Sequence, residues 1–424
     1  MQKFIVEGPQ TGKKGEIPVY GAKNSALKLI PASLLCDEPV TFHGIPAIGD
    51  IVLMMDILKS LGAKVEVDGH SVTVDPTGVE NPNISFELAM KMRASFLFVS
   101  PLLTRFDTVR FPHPGGDAIG RRPIDMTLEQ LTAAGVDVSE GDEEYILKRG
   151  EDGLQASDYV FKWITHTGTE NAIMTAIKAK GTTTLYNCAM EPEVVALCDF
   201  LRACGAKITG DGSPTIVIEG VDYLSGCEHT NIPDRLEVGT FVILGALTKS
   251  ELTITGINPD HLRTFWKFMD MVGVQYELGD TWVKTLPDQP EFTATDVKTH
   301  EYPGFVTDLQ APFTLLLTQA KGFSMVHETI FDGRLFYTDS LNKMGASILL
   351  CDPYRAAVHG PTQLYGKKIE SPDVRAGMTF LLAGLIAEGK TEILNIHHID
   401  RGYERVEERL NAVGFSITRQ EMNC

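Results

Sequence analysis

The stretch Phe111-Pro-His-Pro-Gly-Gly-Asp-Ala-Ile-Gly-Arg-Arg-Pro-Ile-Asp-Met126 carries an acid and two cations where no regular structure can form. Two prolines and three glycines fall within its first ten residues. Proline fixes φ and removes a donor, while glycine frees φ, so neither helix nor strand persists. Asp117 close to Arg121 and Arg122 on such a loop suits proton transfer beside a bound anion. Taken alone, the stretch reads equally as a solvated surface turn.

Other residues extend that chemistry. Gly21-Ala-Lys-Asn-Ser-Ala-Leu-Lys28 follows the predicted strand Ile17 to Tyr20 and opens an apolar helix. This arrangement puts the Lys23 ammonium at a helix N-terminus, where anions bind. The spacing is not that of a Walker A loop, and alone Lys23 reads as a surface lysine. Arg93, Asp308, Arg334, Arg375 and Arg401 recur at comparable junctions, several leading into apolar helices. Each could be a structural ion pair. Together with Lys23 and Arg122 they could receive a small polyanion bearing phosphate and carboxylate, since arginine forks match both groups. The histidines form no metal-ligand pattern, and adjacent His397 and His398 are expected to point in different directions. No catalytic metal and no cofactor is expected.

The elements that must position these residues show as repeats. Gly62, Gly135, Gly205, Gly273, Gly345 and Gly414 each close an amphipathic helix and precede a β-prone segment, at spacings of 68 to 73 residues. Glycine at this position ends a helix because it accepts positive φ. A second signature keeps the same rhythm: an almost uncharged helix, a turn and an alternating strand, as in Ile173 to Leu185, Phe241 to Ile254 and Phe380 to Leu394. Helices apolar all round belong inside a unit, covered by sheet. Six βαβ-type repeats of about 70 residues, grouped three and three, give an α/β fold of two similar domains, with a boundary near Asn231 to Arg235.

Composition agrees with this picture. A 424-residue chain with 43% hydrophobic and 22% charged residues is globular and too long for one ordinary core. A net charge of −18 disfavours a nucleic-acid or anionic-membrane partner. No apolar run approaches a membrane span, the N-terminal segment reads as a strand, and seven cysteines without a C-x-x-C pair suggest neither zinc nor disulfides. A cytoplasmic location is expected, with no obligate protein partner inferred.

At this point the motifs resemble those of the enolpyruvyl transferases along essentially the whole chain. The matching segments are Gly-Ala-Lys-Asn24, Met-Arg-Ala-Ser95, Pro-Gly-Gly-Asp-Ala-Ile-Gly-Arg-Arg-Pro123, Pro-Asp-Arg235, Thr-Asp-Leu-Gln310, Asp-Val-Arg-Ala376 and His-Ile-Asp-Arg-Gly-Tyr-Glu-Arg405. The resemblance implies two inside-out α/β domains of three repeats each, with the active site in the cleft between them. The chain would cross twice, making residues 1–21 and 235–424 one discontinuous domain. Residues 22–234 would form the other, which carries the mobile loop 111–126.

The implied reaction moves the enolpyruvyl group of phosphoenolpyruvate to the 3′-hydroxyl of UDP-N-acetylglucosamine and releases phosphate, the first committed step of peptidoglycan synthesis. By the resemblance, Lys23, Arg122 and Arg401 hold the phosphate, with Asn24 beside them, and Arg334 and Arg375 hold the carboxylate. Asp308 takes the hydroxyl proton, and Asp117 stands where the family has a proton donor, usually cysteine. Arg93, Arg122, Pro123, Ile124, Asp125, Met126, Lys162, Trp163, Ile164, Thr165, Asp308 and Ile330 would surround the nucleotide sugar.

Two departures follow. Asp117 in place of cysteine implies resistance to fosfomycin, which alkylates that thiol. The segment Lys162 to Asn171 and Thr127 differ from the usual pattern around the uridine diphosphate, so His166 could contact or exclude that group. Another nucleotide or sugar acceptor therefore stays open as an alternative, as does a non-catalytic nucleotide-sugar-binding paralogue. Charge and motifs disfavour an RNA terminus as substrate.

Overall fold

The computed structural model describes residues 2–113, 115 and 124–422; Asp117, Arg121, Arg122 and Pro123 lie outside them. The described chain divides into two compact units. One comprises residues 2–20 and 233–422, the other residues 21–113, 115 and 124–232.

A complete repeat shows what the sequence rhythm encodes. The strand Asp158–Val160 leads through the helix His166–Ala176 to the parallel strand Thr182–Tyr186. The helix Pro192–Ala203 then ends at Gly205, and Lys207–Thr209 and Thr215–Glu219 close an antiparallel hairpin on that strand. The expected βαβ element is thus extended by a helix and a hairpin. Strands Val297–Lys298, Gly322–His327, Ser347–Asp352 and Arg355–Gly360 repeat the pattern. All six repeat glycines are left-handed, with φ between +84° and +110°, which explains their recurrence: a Cβ there would meet the carbonyl oxygen.

Two kinds of helix follow from two kinds of sequence. Helices ending at the repeat glycines alternate buried and exposed positions, as Arg263–Val272 does in burying Phe265, Trp266, Met269 and Val272 while exposing Arg263, Lys267 and Asp270. The sparsely charged helices are central: in the first unit Arg235–Ala246, Gln310–Leu317 and Arg375–Leu385 are buried without interruption. The helix Gln310–Leu317 packs on both of the others, and sheets enclose the bundle. In the second unit the helices Lys23–Ala32, Val99–Arg105 and His166–Ala176 are buried over most of their length, from Ser25 with a break at Leu27, over Val99 to Leu103 and over Gly168 to Ala176.

The chain's passages between units are fixed on both sides. Within the first unit, Asp234 N–H donates to Tyr20 O at 2.9 Å. The Arg409 fork binds Glu237 at 2.7 and 2.8 Å while lying 4.4 Å over the Tyr20 ring. Within the second, Ala22 N–H donates to Ile232 O at 2.7 Å, and Asn231 Nδ2 donates to Ala22 O at 3.0 Å. Each unit also completes a sheet with a strand distant in sequence: Lys14–Pro18 lies parallel to Glu251–Thr255, and Glu228–Thr230 parallel to Val40–His43.

The helix Val374–Ile386 needs a glycine for close approach. A Cβ at Gly377 would lie 2.1 Å from Ser371 Oγ and 2.8 Å from Ile399 Cγ1. Gly377→Ala is expected to destabilise the protein by about 1–3 kcal/mol through overpacking, read as a lower midpoint in chemical denaturation.

Candidate active site

In the unit of residues 2–20 and 233–422, three anticipated residues meet. Asp308 sits in the 3-10 turn Thr307–Leu309, ahead of the buried helix Gln310–Leu317. Arg334 follows the strand Gly322–His327, and Arg375 is in the first turn of Val374–Ile386. Arg334 Nη2 lies 2.8 Å from Asp308 Oδ1, and Arg375 Nε lies 3.1 Å from Oδ2. Each carboxylate oxygen therefore has its own guanidinium. The arginine side chains are only 6% and 4% exposed against 22% for Asp308, which is the least buried of the three.

The electrostatics follow from this geometry. Burial alone would raise the Asp308 pKa, but Arg334 and Arg375 outweigh it and hold the carboxyl far below the usual range. Burial likewise works against the charge on Arg375, and Tyr403 and Asp308 overcome it. Arg375 Nη1 donates to Tyr403 Oη at 3.2 Å and its guanidinium lies 5.5 Å from the ring centre. Tyr403 in turn shares a 2.9 Å hydrogen bond with Thr240. Asp373 caps the helix by accepting from Arg375 N–H and Ala376 N–H at 2.8 and 3.0 Å.

Glu328, absent from the sequence-based set, holds the other side. It is fully buried. One oxygen accepts from Ile330 N–H and Phe331 N–H at 2.8 and 3.2 Å, the other from the Thr307 hydroxyl at 2.8 Å. Thr307 Oγ1 accepts from Arg334 Nη1 at 3.2 Å. Glu328 thereby ties the Asp308 turn to the segment bearing Ile330 and Arg334. Its only sequence signal is an acid immediately after an alternating strand. Arg401 caps the one-turn helix His397–Asp400 in the same unit. His397 and His398 do not diverge as expected: their ring centres are 4.2 Å apart at 36°, because adjacent side chains on so short a turn can rotate together and stack.

In the other unit, Lys23 is the first residue of the helix Lys23–Ala32 and is buried, not the surface lysine its local sequence suggests. Its Nζ lies 2.9 Å from Asp50, also buried, and Lys28 pairs with buried Glu170 at 3.1 Å. Asn24 follows on that helix, and Arg93 opens the 3-10 helix Arg93–Phe98. Ile124 precedes the helix Asp125–Ala133; Met126 is buried, with its carbonyl accepting from Tyr159 Oη at 3.1 Å. Lys162 pairs with Glu129 at 2.7 Å, Trp163 is exposed and Ile164 packs against the core. Thr165 caps the helix His166–Ala176 by accepting from Gly168 N–H at 3.3 Å. Behind that cap, His166 Nε2 lies 2.7 Å from buried Glu191. Among the described residues no group of three or more His, Cys, Asp or Glu side chains is arranged to hold a metal ion, and no helix is long and apolar enough to cross a membrane.

Burial disfavours the His166 imidazolium, yet Glu191 outweighs it and raises the ring's pKa. A raised folded-state value contributes stability that is complete below the unfolded value of about 6.5 and lost as pH rises through the folded one. His166→Gln is therefore expected to lose more stability in mildly acidic than in alkaline buffer, measured by denaturant titration at both.

Comparison with known proteins adds to the geometry. Residues 9–410 match the family model described as EPSP synthase (3-phosphoshikimate 1-carboxyvinyltransferase). The chain is 39% identical over 421 residues to UDP-N-acetylglucosamine 1-carboxyvinyltransferase 3 of Caldanaerobacter subterraneus subsp. tengcongensis, covering 99% of each. It is 41% identical over 421 residues to UDP-N-acetylglucosamine 1-carboxyvinyltransferase of Desulfosudis oleivorans, again covering 99% of each. Among solved structures, the enolpyruvyl transferase NikO from Streptomyces tendae shares the fold with a TM-score of 0.90 at 23% identity, over 99% of this chain and 98% of that one. EPSP synthase from Acinetobacter baumannii gives 0.73 at 17% identity, over 99% and 100%.

Proposed function

The chain belongs to the enolpyruvyl transferase family and is a transferase, and we propose that it moves the enolpyruvyl group of phosphoenolpyruvate to the 3′-hydroxyl of UDP-N-acetylglucosamine with release of phosphate. The observation that carries this reading is the pair of buried arginines converging on one carboxylate position. It is joined by relatives of that name aligned over almost the full chain.

On this reading Arg334 and Arg375 hold the donor's carboxylate, and Lys23, Arg122 and Arg401 its phosphate. Asp117 protonates the methylene carbon, and the adjacent carbon becomes oxocarbenium-like. The acceptor oxygen attacks that carbon as its proton passes to Asp308. The carboxylate left on Asp117 then takes back a methyl proton as the C–O bond to phosphate breaks, which releases phosphate from the tetrahedral adduct and restores the double bond. Asn24 lies beside the phosphate group, and Arg93, Lys162 to Thr165, Ile330 and the segment from Arg122 to Met126 face the nucleotide sugar.

A second reading keeps the donor and changes the acceptor. It is favoured by His166 with Glu191 behind it, a bulky and ionisable pair at the head of the helix His166–Ala176.

Phosphate release from phosphoenolpyruvate by purified protein, with and without UDP-N-acetylglucosamine, tests both. Release that depends on this acceptor supports the first. Donor binding without release favours the second.

Asp117 adds a separate expectation. A carboxylate is a poorer nucleophile toward an epoxide than a thiolate, so turnover is expected to survive fosfomycin, while Asp117→Cys becomes inactivated by it. An ordinary aspartate titrates near ~3.9 and a thiol near ~8.5, so the natural protein should have the more acidic activity optimum of the two. Covalent attachment of the drug at Asp117, seen by mass spectrometry, would sink the resistance assignment.

A further inference from the structure

Resting on the reading above, the geometry points to an exchange of carboxylates. We propose that Asp308 occupies the donor carboxylate's place on Arg334 and Arg375 in the free protein, and that arrival of the donor displaces it and turns it into the base.

The argument begins with what Asp308 is doing. Both of its oxygens are engaged, one by each guanidinium, at 2.8 and 3.1 Å. A carboxylate saturated in this way is a very weak base toward an alcohol, because accepting a proton would cost it two charge-assisted bonds. Were the pairing permanent, Asp308 would be a structural ion-pair partner and nothing more.

The arginines impose the complementary condition. Both are buried, and two buried cations side by side need an anion at all times. Removing Asp308 with no replacement would strand them. Replacing one carboxylate by another leaves the local charge unchanged, so the exchange avoids that cost, and the planar forks accept either carboxylate.

The surroundings decide which partner moves. Arg375 is held by Tyr403 Oη, and Arg334 by Thr307 Oγ1 and against the Phe331 ring. Thr307 is anchored to buried Glu328. The arginines and the turn backbone are thus fixed independently of the Asp308 carboxylate, whose side chain is the least buried of the trio. Rotation of one short side chain suffices to vacate the forks. Freed from them, Asp308 takes the proton as the acceptor's O–H bond breaks. The electrons of that bond form the new C–O bond, and Asp308 becomes a neutral carboxylic acid. The donor therefore arms the base that its own reaction requires, and acceptor alone leaves it unarmed.

Calorimetric binding of phosphoenolpyruvate, without acceptor, to the natural protein and to Asp308→Asn tests the exchange. The isosteric neutral variant lacks the competing charge. It is expected to bind the donor at least about tenfold more tightly, in line with couplings between close charge pairs, although its turnover is lost. Pyruvate, which offers the carboxylate without the phosphate, should shift in the same direction. Equal or weaker donor binding by Asp308→Asn, with the natural protein binding normally, overturns the exchange and leaves the assigned reaction standing. Binding by neither protein removes both. If the variant unfolds for want of an anion, added phosphoenolpyruvate or pyruvate should restore its thermal transition, and failure of both to do so also overturns the exchange.

Discussion

Two guanidinium groups buried within reach of one carboxylate impose the constraint on which one unit of this protein depends. Stranding a buried charge costs roughly 3–5 kcal/mol, so Arg334 and Arg375 must have an anion between them or lose their burial. In the free protein that anion is Asp308. Glu328, Thr307 and Tyr403 follow from the same constraint, since each holds an arginine or its turn without competing for the shared position.

The scaffold supplies rigidity where that charged cluster needs it. Arg375 enters a helix buried from Arg375 to Leu385, and Asp308 precedes one buried from Gln310 to Leu317. These two helices pack on each other. Movement of either helix would disturb apolar packing at close to crystalline density. On the other unit the same logic fixes Lys23, paired with Asp50 at the head of another buried helix. In both units a buried cation lies in the first turn of an apolar helix, where the positive helix end disfavours it, so each relies on a paired carboxylate, Asp50 for Lys23 and Asp308 for Arg375, while the helix body carries the packing.

The sequence by itself determined the repeat, the two kinds of helix and the inventory of charged groups. Those are local properties: a glycine that must take positive φ, the scarcity of charge along a whole helix, and the spacing of motifs along the chain. Gly205 and Gly414 were legible because left-handed backbone has few other tenants. What only the tertiary structure decided was pairing. Asp308 and Arg375 are 67 residues apart, and no pattern in the chain states that they share a hydrogen bond. Lys23 read as a surface lysine because burial depends on a partner, Asp50, that its own segment does not contain. Glu328 was missed for the same reason: a buried carboxylate is defined by the donors that converge on it, and those come from Thr307, Ile330 and Phe331 only once the chain has folded. Periodicity is written in the chain because it acts between neighbours, whereas electrostatic pairing acts through space and is settled by the fold.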